Sequence, residues 1–167
     1  MTRKGCIWLL ILLWLALPGL TAYAQGLRTP LGRFRWGRYQ EEKKMSREQA
    51  AAKYNYCPTG GCVVRLEEVE VRPSSARPGD TLTLSTTYTL LTSTDMPIPV
   101  TITREIFYQG KSLGQTKTMS TRNLNGTWTQ RVEFTLEPRS APGIYTLVTR
   151  IQTAFGQDQK SAQFSVY

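Results

Sequence analysis

The chain has 167 residues, of which 21 are Lys or Arg and 12 are Asp or Glu, so that its net charge at pH 7 is +9, and it contains no histidine. Without imidazole, the chain can form neither a Ser-His-Asp triad nor a Cys-His pair nor a His-containing zinc site. Its length is enough for one domain with short additional segments.

The first residues have the order of a secretory signal. Arg3 and Lys4 precede an apolar run over residues 7–17, and residues 22–24 (AYA) place small side chains where a signal peptidase reads them. An apolar run of this length is too short to cross a bilayer as an uncleaved anchor. We therefore predict that residues 1–24 are a signal peptide, and that the protein is exported to the periplasm or the cell surface.

Residues 25–45 mix Gly, Pro and Arg without a sustained apolar period, which predicts a flexible basic arm. Arginine pairs with phosphate or carboxylate, and aromatic rings can stack on sugars or lie at a lipid interface. A role in binding a polyanion or a partner is therefore one interpretation, and a simple tether or a segment that folds onto the domain or a partner are the alternatives. The candidate binding residues are Arg28, Arg33, Phe34, Arg35, Trp36, Arg38 and Tyr39.

Residues 46–56 favour a short helix, in which Ser46 is the N-cap and Gln49 completes a capping box. A helix of this length is marginal in isolation and must dock on another part of the protein. We predict that residues 46–62 form this helix and a disulfide turn.

Cys57 and Cys62 are separated by four residues, and the third cysteine lies in the predicted signal peptide. A zinc knuckle needs four ligands, and a thioredoxin-type couple needs two intervening residues and a following helix. Here Pro58 and two glycines supply a tight turn, and the residues after Cys62 indicate a strand. We predict a Cys57–Cys62 disulfide that acts as a local clamp, with a transferable redox disulfide as the alternative.

From residue 63 to residue 167, apolar residues recur with a period of two between turn signals. The pattern predicts an all-β fold, a seven-stranded antiparallel sandwich. The first strand changes phase between Leu66 and Val69, which is typical of a bulge or of a strand that changes sheets. Polar residues interrupt two inward faces, at Arg104 and at Thr149.

Three stretches resemble bacterial immunoglobulin-like domains of the disulfide-free kind, the Big and CARDB types. They are ARPGDTLTL at 76–84, FYQGKSLG at 107–114 and APGIYTLVTRI at 141–151. The resemblance covers about residues 63–167 and implies an immunoglobulin-like sandwich. It also implies that Tyr145 bonds back to upstream backbone. It supports a fold and does not by itself give a function.

No catalytic constellation is visible in the sequence. Glu67 and Glu68 are adjacent in a predicted strand and would point to opposite faces. No Asp-x-Asp-x-Asp cluster for calcium occurs. We therefore expect no enzyme activity, no metal and no cofactor.

The sequence favours a non-catalytic, exported envelope protein whose sandwich binds a protein partner through an edge strand or end loops. Binding of anionic envelope polymers or a membrane surface through the basic arm is the alternative, and nucleic acid is not expected. A carbohydrate-binding module is a third hypothesis, and it requires Trp128 or Tyr108 to be exposed on a flat face. Trp128 shares the parity of Val132, which favours packing in or near the core.

Overall fold

The computed structural model describes residues 34–167, so the predicted signal peptide, Arg28 and Arg33 lie outside the described residues. These residues form two stacked sheets, with strand orders β1-β7-β4-β2 and β3-β9-β8-β5-β6. The elements in chain order are β1 (Arg35–Met45), α1 (Arg47–Tyr54), a 3₁₀ turn (Pro58–Gly60), β2 (Val63–Arg72), β3 (Ser75–Ala76), β4 (Thr81–Leu91), β5 (Ile98–Tyr108), β6 (Lys111–Asn123), β7 (Gly126–Thr135), β8 (Gly143–Thr153) and β9 (Gly156–Val166). The prediction of an all-β sandwich is confirmed.

Strand β1 corrects the predicted arm, because residues 35–45 form the edge strand of the four-stranded sheet. It pairs antiparallel with β7, and Trp36 lies opposite Phe134. The register shifts between Trp36 and Tyr39 and again near the end of the strand. These shifts break the period of two by which a strand is recognised in sequence. Together with the two-residue β3, β1 brings the strand count among the described residues to nine rather than seven.

The phase change in β2 comes from a β-bulge, one of the two explanations that the sequence offered. The register with β4 shifts between Leu66 and Glu68, which is a β-bulge. After β2 the chain crosses to the other sheet, where β3 pairs in parallel with β9. The carboxylate of Asp158 accepts a hydrogen bond of 2.8 Å from the backbone N–H of Leu66. The bulged edge of β2 is thereby closed against β9.

Helix α1 begins as predicted and is held against the four-stranded sheet. Ser46 is its N-cap, and the capping box with Gln49 is complete. Ala50 is fully buried, and Arg47 donates to the backbone oxygen of Thr92. The hydroxyl of Tyr54 donates to Glu67 on β2. These contacts supply the docking that so short a helix needs.

The apolar core is divided into two clusters along the strands. The first is built around Phe134, Tyr145 and Phe164, and the second around Tyr88 and Ile102. As the resemblance implied, the hydroxyl of Tyr145 donates to the backbone oxygen of Ala141, at 2.8 Å.

Candidate functional site

A layer of polar side chains crosses the sandwich between the two apolar clusters. In the four-stranded sheet, Gln130 is the register partner of both Glu41 and Thr86. In the five-stranded sheet, Arg104 is the partner of both Lys117 and Thr149, and Thr149 is also paired with Lys160. Direct partners in antiparallel strands point to the same face. We call this set the polar layer: Glu41, Thr86, Arg104, Lys117, Gln130, Thr149 and Lys160.

Hydrogen bonds join the two sheets within this layer. Arg104 lies on the five-stranded sheet, is fully buried, and donates from Nη2 to Oε1 of Gln130 on the opposite sheet, at 2.8 Å. Gln130 in turn donates to Oε1 of Glu41, at 2.7 Å. The hydroxyl of Tyr88 donates to the same carboxylate oxygen at 2.9 Å, and Thr121 of β6 donates to Oε2 at 3.0 Å. The Glu41 carboxylate therefore ties the edge strand β1 to β4, β6 and β7.

The environment shifts several pKa values in the layer. Burial disfavours the charged form of Glu41, but hydrogen bonds from Gln130, Tyr88, Asn123 and Thr121 outweigh burial and hold its pKa below 4.5. Burial lowers the pKa of Arg104 to about 10, because the guanidinium is removed from water. Both groups are therefore charged at neutral pH. In the sequence, Arg104 and Thr149 interrupt the apolar faces of two strands. The sequence pattern alone does not show that they lie in one layer.

The second notable feature is the edge of the five-stranded sheet formed by β6. This strand runs for 13 residues, and among the described residues its backbone pairs with β5 alone. The other edges are less open. Strand β1 has two register shifts, and β2 is closed against β9 by Asp158. Strand β3 pairs only with Ser165 and Val166 of β9, and the rest of β9 lies against β2. The register of β6 with β5 also shifts, between Ser112 and Thr116, but it is unbroken from Thr116 to Asn123. This part of β6 offers a regular row of backbone donors and acceptors that is not closed against another strand of the described chain.

Of the residues predicted to bind a polyanion, the five that the structure describes do not all lie on the surface. Phe34 is 6% exposed, and its ring packs edge-on against Phe134, Tyr145 and Phe164 with centroids 6.1, 5.7 and 6.4 Å away. Trp36 packs on Phe134 with centroids 5.6 Å apart. These two aromatic rings therefore belong to the core.

The remaining predicted arm residues within the described range are more accessible. Arg35 and Arg38 are exposed on β1. Tyr39 is 37% exposed and lies opposite Val132 on β7. Of the candidate binding residues, the described part of the arm thus exposes two arginines and one tyrosine. These do not form a row of alternating basic and aromatic side chains.

Cys57 and Cys62 are free, exposed thiols in the structure, on either side of the 3₁₀ turn. The Sγ of Cys57 lies 3.0 Å from Oγ1 of Thr59. The pKa of Cys57 is lowered, first by this side-chain contact. The predicted disulfide is not formed in the structure and remains a prediction.

The aromatic platform that a carbohydrate-binding module would need is not seen at the two predicted positions. Trp128 is half-buried against the second apolar cluster, and its Nε1 donates to the backbone oxygen of Leu124, at 2.8 Å. Tyr108 packs on Tyr145, and its hydroxyl donates to the backbone oxygen of Pro142. Both rings are thus engaged with the protein itself. Neither ring forms the exposed flat face that the carbohydrate-binding hypothesis requires.

The acidic pair at Glu67 and Glu68 lies at the bulge of β2. Glu67 accepts hydrogen bonds from Thr89, at 2.6 Å, and from Lys53 and Tyr54 of the helix. Its carboxylate therefore fixes α1 to the sheet. Within residues 34–167, no group of three or more acidic or cysteine side chains is arranged to hold a metal ion. Neither does any helix in this range have the length and apolar character to span a membrane.

No model of a known protein family matches the sequence, and no curated protein matches it. Several solved structures are similar in shape at low identity. A CARDB domain of the PF1109 protein from Pyrococcus furiosus, described in complex with di-metal ions, has 14% identity and a TM-score of 0.41, covering 62% of this chain and 89% of that one. A conjugative transposon lipoprotein from Bacteroides eggerthii has 14% identity and a TM-score of 0.39, covering 63% and 97%.

Enzymes are also among the similar structures. The alkylpurine DNA glycosylase AlkC of Pseudomonas fluorescens has 18% identity and a TM-score of 0.45, and a β-glucosidase of Listeria innocua has 14% identity and a TM-score of 0.44. The match covers 62% of this chain for the glycosylase and 63% for the glucosidase. It spans only 30% and 16% of those two longer chains. Identities and TM-scores of this size do not identify a function.

Proposed function

We propose that this protein is a non-catalytic, exported envelope module that binds a protein partner by strand addition at β6. The observation that carries the proposal is the edge formed by residues 116–123 of β6, which pair in unbroken register with β5 on one side and have no strand on the other within the described chain. In strand addition, backbone hydrogen bonds supply affinity and alternate side chains supply specificity. The predicted signal peptide supports export.

Lys117 would set the specificity of this edge. It is half-buried on the inward face of β6 and is the register partner of the buried Arg104. An inward-pointing lysine on an edge strand discourages indiscriminate pairing, because an apolar strand would have to bury the charge. A partner strand with an acidic residue opposite Lys117 would instead neutralise it.

Co-sedimentation with the envelope fraction of the producing organism tests the proposal. Consecutive residues of an edge strand direct their backbone groups alternately to the neighbouring strand and to the open edge. Of Lys117 and Thr118, therefore, one directs its N–H to the open edge and the other directs it to β5. In the variants Lys117→Pro and Thr118→Pro, proline removes an edge donor in one case and breaks pairing with β5 in the other. The one with the higher melting temperature is the edge variant. We expect the natural protein to sediment at low and high salt and the edge variant to stay soluble. Sedimentation of that edge variant would contradict strand addition.

Binding of anionic envelope polymers or a lipid surface is the second candidate, and the exposure of Arg35 and Arg38 on β1 favours it. The double variant Arg35→Gln/Arg38→Gln separates the two functions in the same assay. Polyanion binding weakens steeply as ionic strength rises, because exposed charges are screened. If the double variant stays soluble and salt releases the natural protein, the basic strand is the binding element. If the double variant sediments like the natural protein, the edge is favoured.

A further inference from the structure

Four buried polar atoms in the middle of the polar layer have no hydrogen-bond partner within the described chain. They are Nε and Nη1 of Arg104, Oγ1 of Thr86 and Oγ1 of Thr149. All three residues are fully buried. Buried polar groups are nearly always paired, because an unpaired one has lost its hydrogen bonds with water and gained none in return. Several such atoms in one layer therefore point to a ligand that pairs them.

The strand registers bring these atoms together. Thr149 is the direct partner of Arg104 on the neighbouring strand β8, and Thr86 is the direct partner of Gln130 on β4. Cβ atoms of direct partners lie about 4.5–5.5 Å apart. Because Arg104 reaches across the sandwich to Gln130 at 2.8 Å, its guanidinium lies in the same layer as both threonines. The registers thus place the four unpaired atoms at one level between the sheets.

The layer carries more positive than negative charge. Arg104, Lys117 and Lys160 are cationic, whereas Glu41 is the carboxylate of the layer. Glu41 attracts Arg104, but its oxygens accept hydrogen bonds from Gln130, Tyr88 and Thr121 and not from the guanidinium itself. Lys160 lies at the solvent-exposed end and donates to the backbone oxygen of Glu67. A buried guanidinium stays protonated and needs a counter-charge.

We propose that the polar layer binds a small monovalent anion, chloride or a similar halide, between Arg104, Thr86 and Thr149. Arginine offers donors only, and both threonine hydroxyls can also donate. An anion can accept from all of them and neutralise the guanidinium, whereas a water molecule accepts about two hydrogen bonds and carries no charge. A halide is also compact enough to lie between sheets that pack about 10 Å apart. The site is independent of the partner proposed for β6.

Thermal unfolding at constant ionic strength tests this site, with sodium chloride replacing sodium gluconate, whose anion is too large for the layer. We expect the melting temperature of the natural protein to rise with chloride and to saturate, as it does for a ligand that binds only the folded state. Thr149→Val keeps the side-chain volume but removes a donor, so the chloride concentration at half-saturation should rise several-fold. Thr103→Val, which removes an outward-facing hydroxyl of β5, is the matched control and should respond like the natural protein.

Arg104→Met should abolish the chloride response. If this variant does not fold, the double variant Thr86→Val/Thr149→Val takes its place, because it retains the guanidinium. Crystals grown in sodium bromide provide a direct readout, and we expect an anomalous peak beside Arg104. The proposal is overturned if the chloride response is the same in the natural protein and the layer variants. The absence of a bromide peak in the layer would overturn it as well.

Discussion

The hydroxyl of Tyr88 donates a 2.9 Å hydrogen bond to Oε1 of Glu41. Tyr88 is fully buried on the inner strand β4, and Glu41 belongs to the edge strand β1. The bond therefore fixes a strand from the predicted arm to the centre of the sandwich. Burial and the Glu41 carboxylate both raise the pKa of Tyr88, so its hydroxyl remains a donor at neutral pH.

Glu41→Ala should lower the free energy of unfolding by about 2–3 kcal/mol, because buried donors such as Tyr88 and Gln130 lose a charged acceptor. Urea denaturation measures this loss. Glu42→Ala is the matched control, since Glu42 is an exposed neighbour that pairs with Lys44 and Arg131. It should cost much less than Glu41→Ala, because exposed ion pairs contribute little to stability. Equal losses in the two variants would contradict the proposed role of Glu41.

Part of the loss of stability at acid pH should come from protonation of the Glu41 carboxylate. The folded-state pKa of this carboxyl lies below its ordinary value of 4.5. The stabilisation by the ionised Glu41 carboxylate is therefore present above pH 4.5. It is lost as the pH falls through the lower pKa of the folded state. Glu67 behaves in the same way, because hydrogen bonds from Thr89, Tyr54 and Lys53 outweigh its burial. In urea titrations from pH 7 to pH 3, Glu41→Gln should show a shallower loss than the natural protein. Identical pH profiles would exclude this contribution.

Phe34→Ala should lower the free energy of unfolding by about 3–5 kcal/mol, the usual cost of truncating a buried phenylalanine. The ring contacts three core aromatic residues, so its removal leaves a cavity. Arg35→Ala, at the exposed neighbouring position, should change stability by less than about 0.5 kcal/mol. Chemical denaturation followed by tryptophan fluorescence measures both. A loss below 1 kcal/mol for Phe34→Ala would instead favour a detached arm.

Oxidation of the purified protein should join Cys57 and Cys62, which are exposed and flank a tight turn. In the chain-entropy model, closure of so short a loop stabilises by about 2 kcal/mol. Intact mass before and after reduction and alkylation reports whether the bond forms, and Cys62→Ser is the control. Two alkylatable thiols in protein purified from the export compartment without reductant would contradict the disulfide prediction.

Much of the sandwich could be predicted from the sequence because the period of two is a local property. The inward face of β4 at Leu82, Leu84, Thr86, Tyr88 and Leu90 is buried as the alternation indicated. Local chemistry also located the capping box of α1 and the bulge of β2. Strand β1 was missed because register shifts interrupt its alternation and its partner β7 lies far along the chain.

The polar layer could not be predicted from the sequence alone. Arg104 and Thr149 were visible as interruptions of two strand faces. Their common position depends on the registers of β5 with β8 and of β4 with β7, which join residues distant in sequence. The aromatic residues of the arm illustrate the same point. Composition made Phe34 a candidate binding residue, but a long-range pairing places its ring in the core.

Hydrogen exchange of β6 most directly tests the central claim that this edge binds the partner. The protein would be labelled in deuterated buffer alone and while bound to the envelope fraction, and the peptide spanning β6 would be followed by mass spectrometry. We expect exchange in β6 to slow on binding, because edge N–H groups acquire acceptors, and exchange in α1 to remain unchanged. Unchanged exchange in β6, with protection appearing instead at β1 or the end loops, would contradict it.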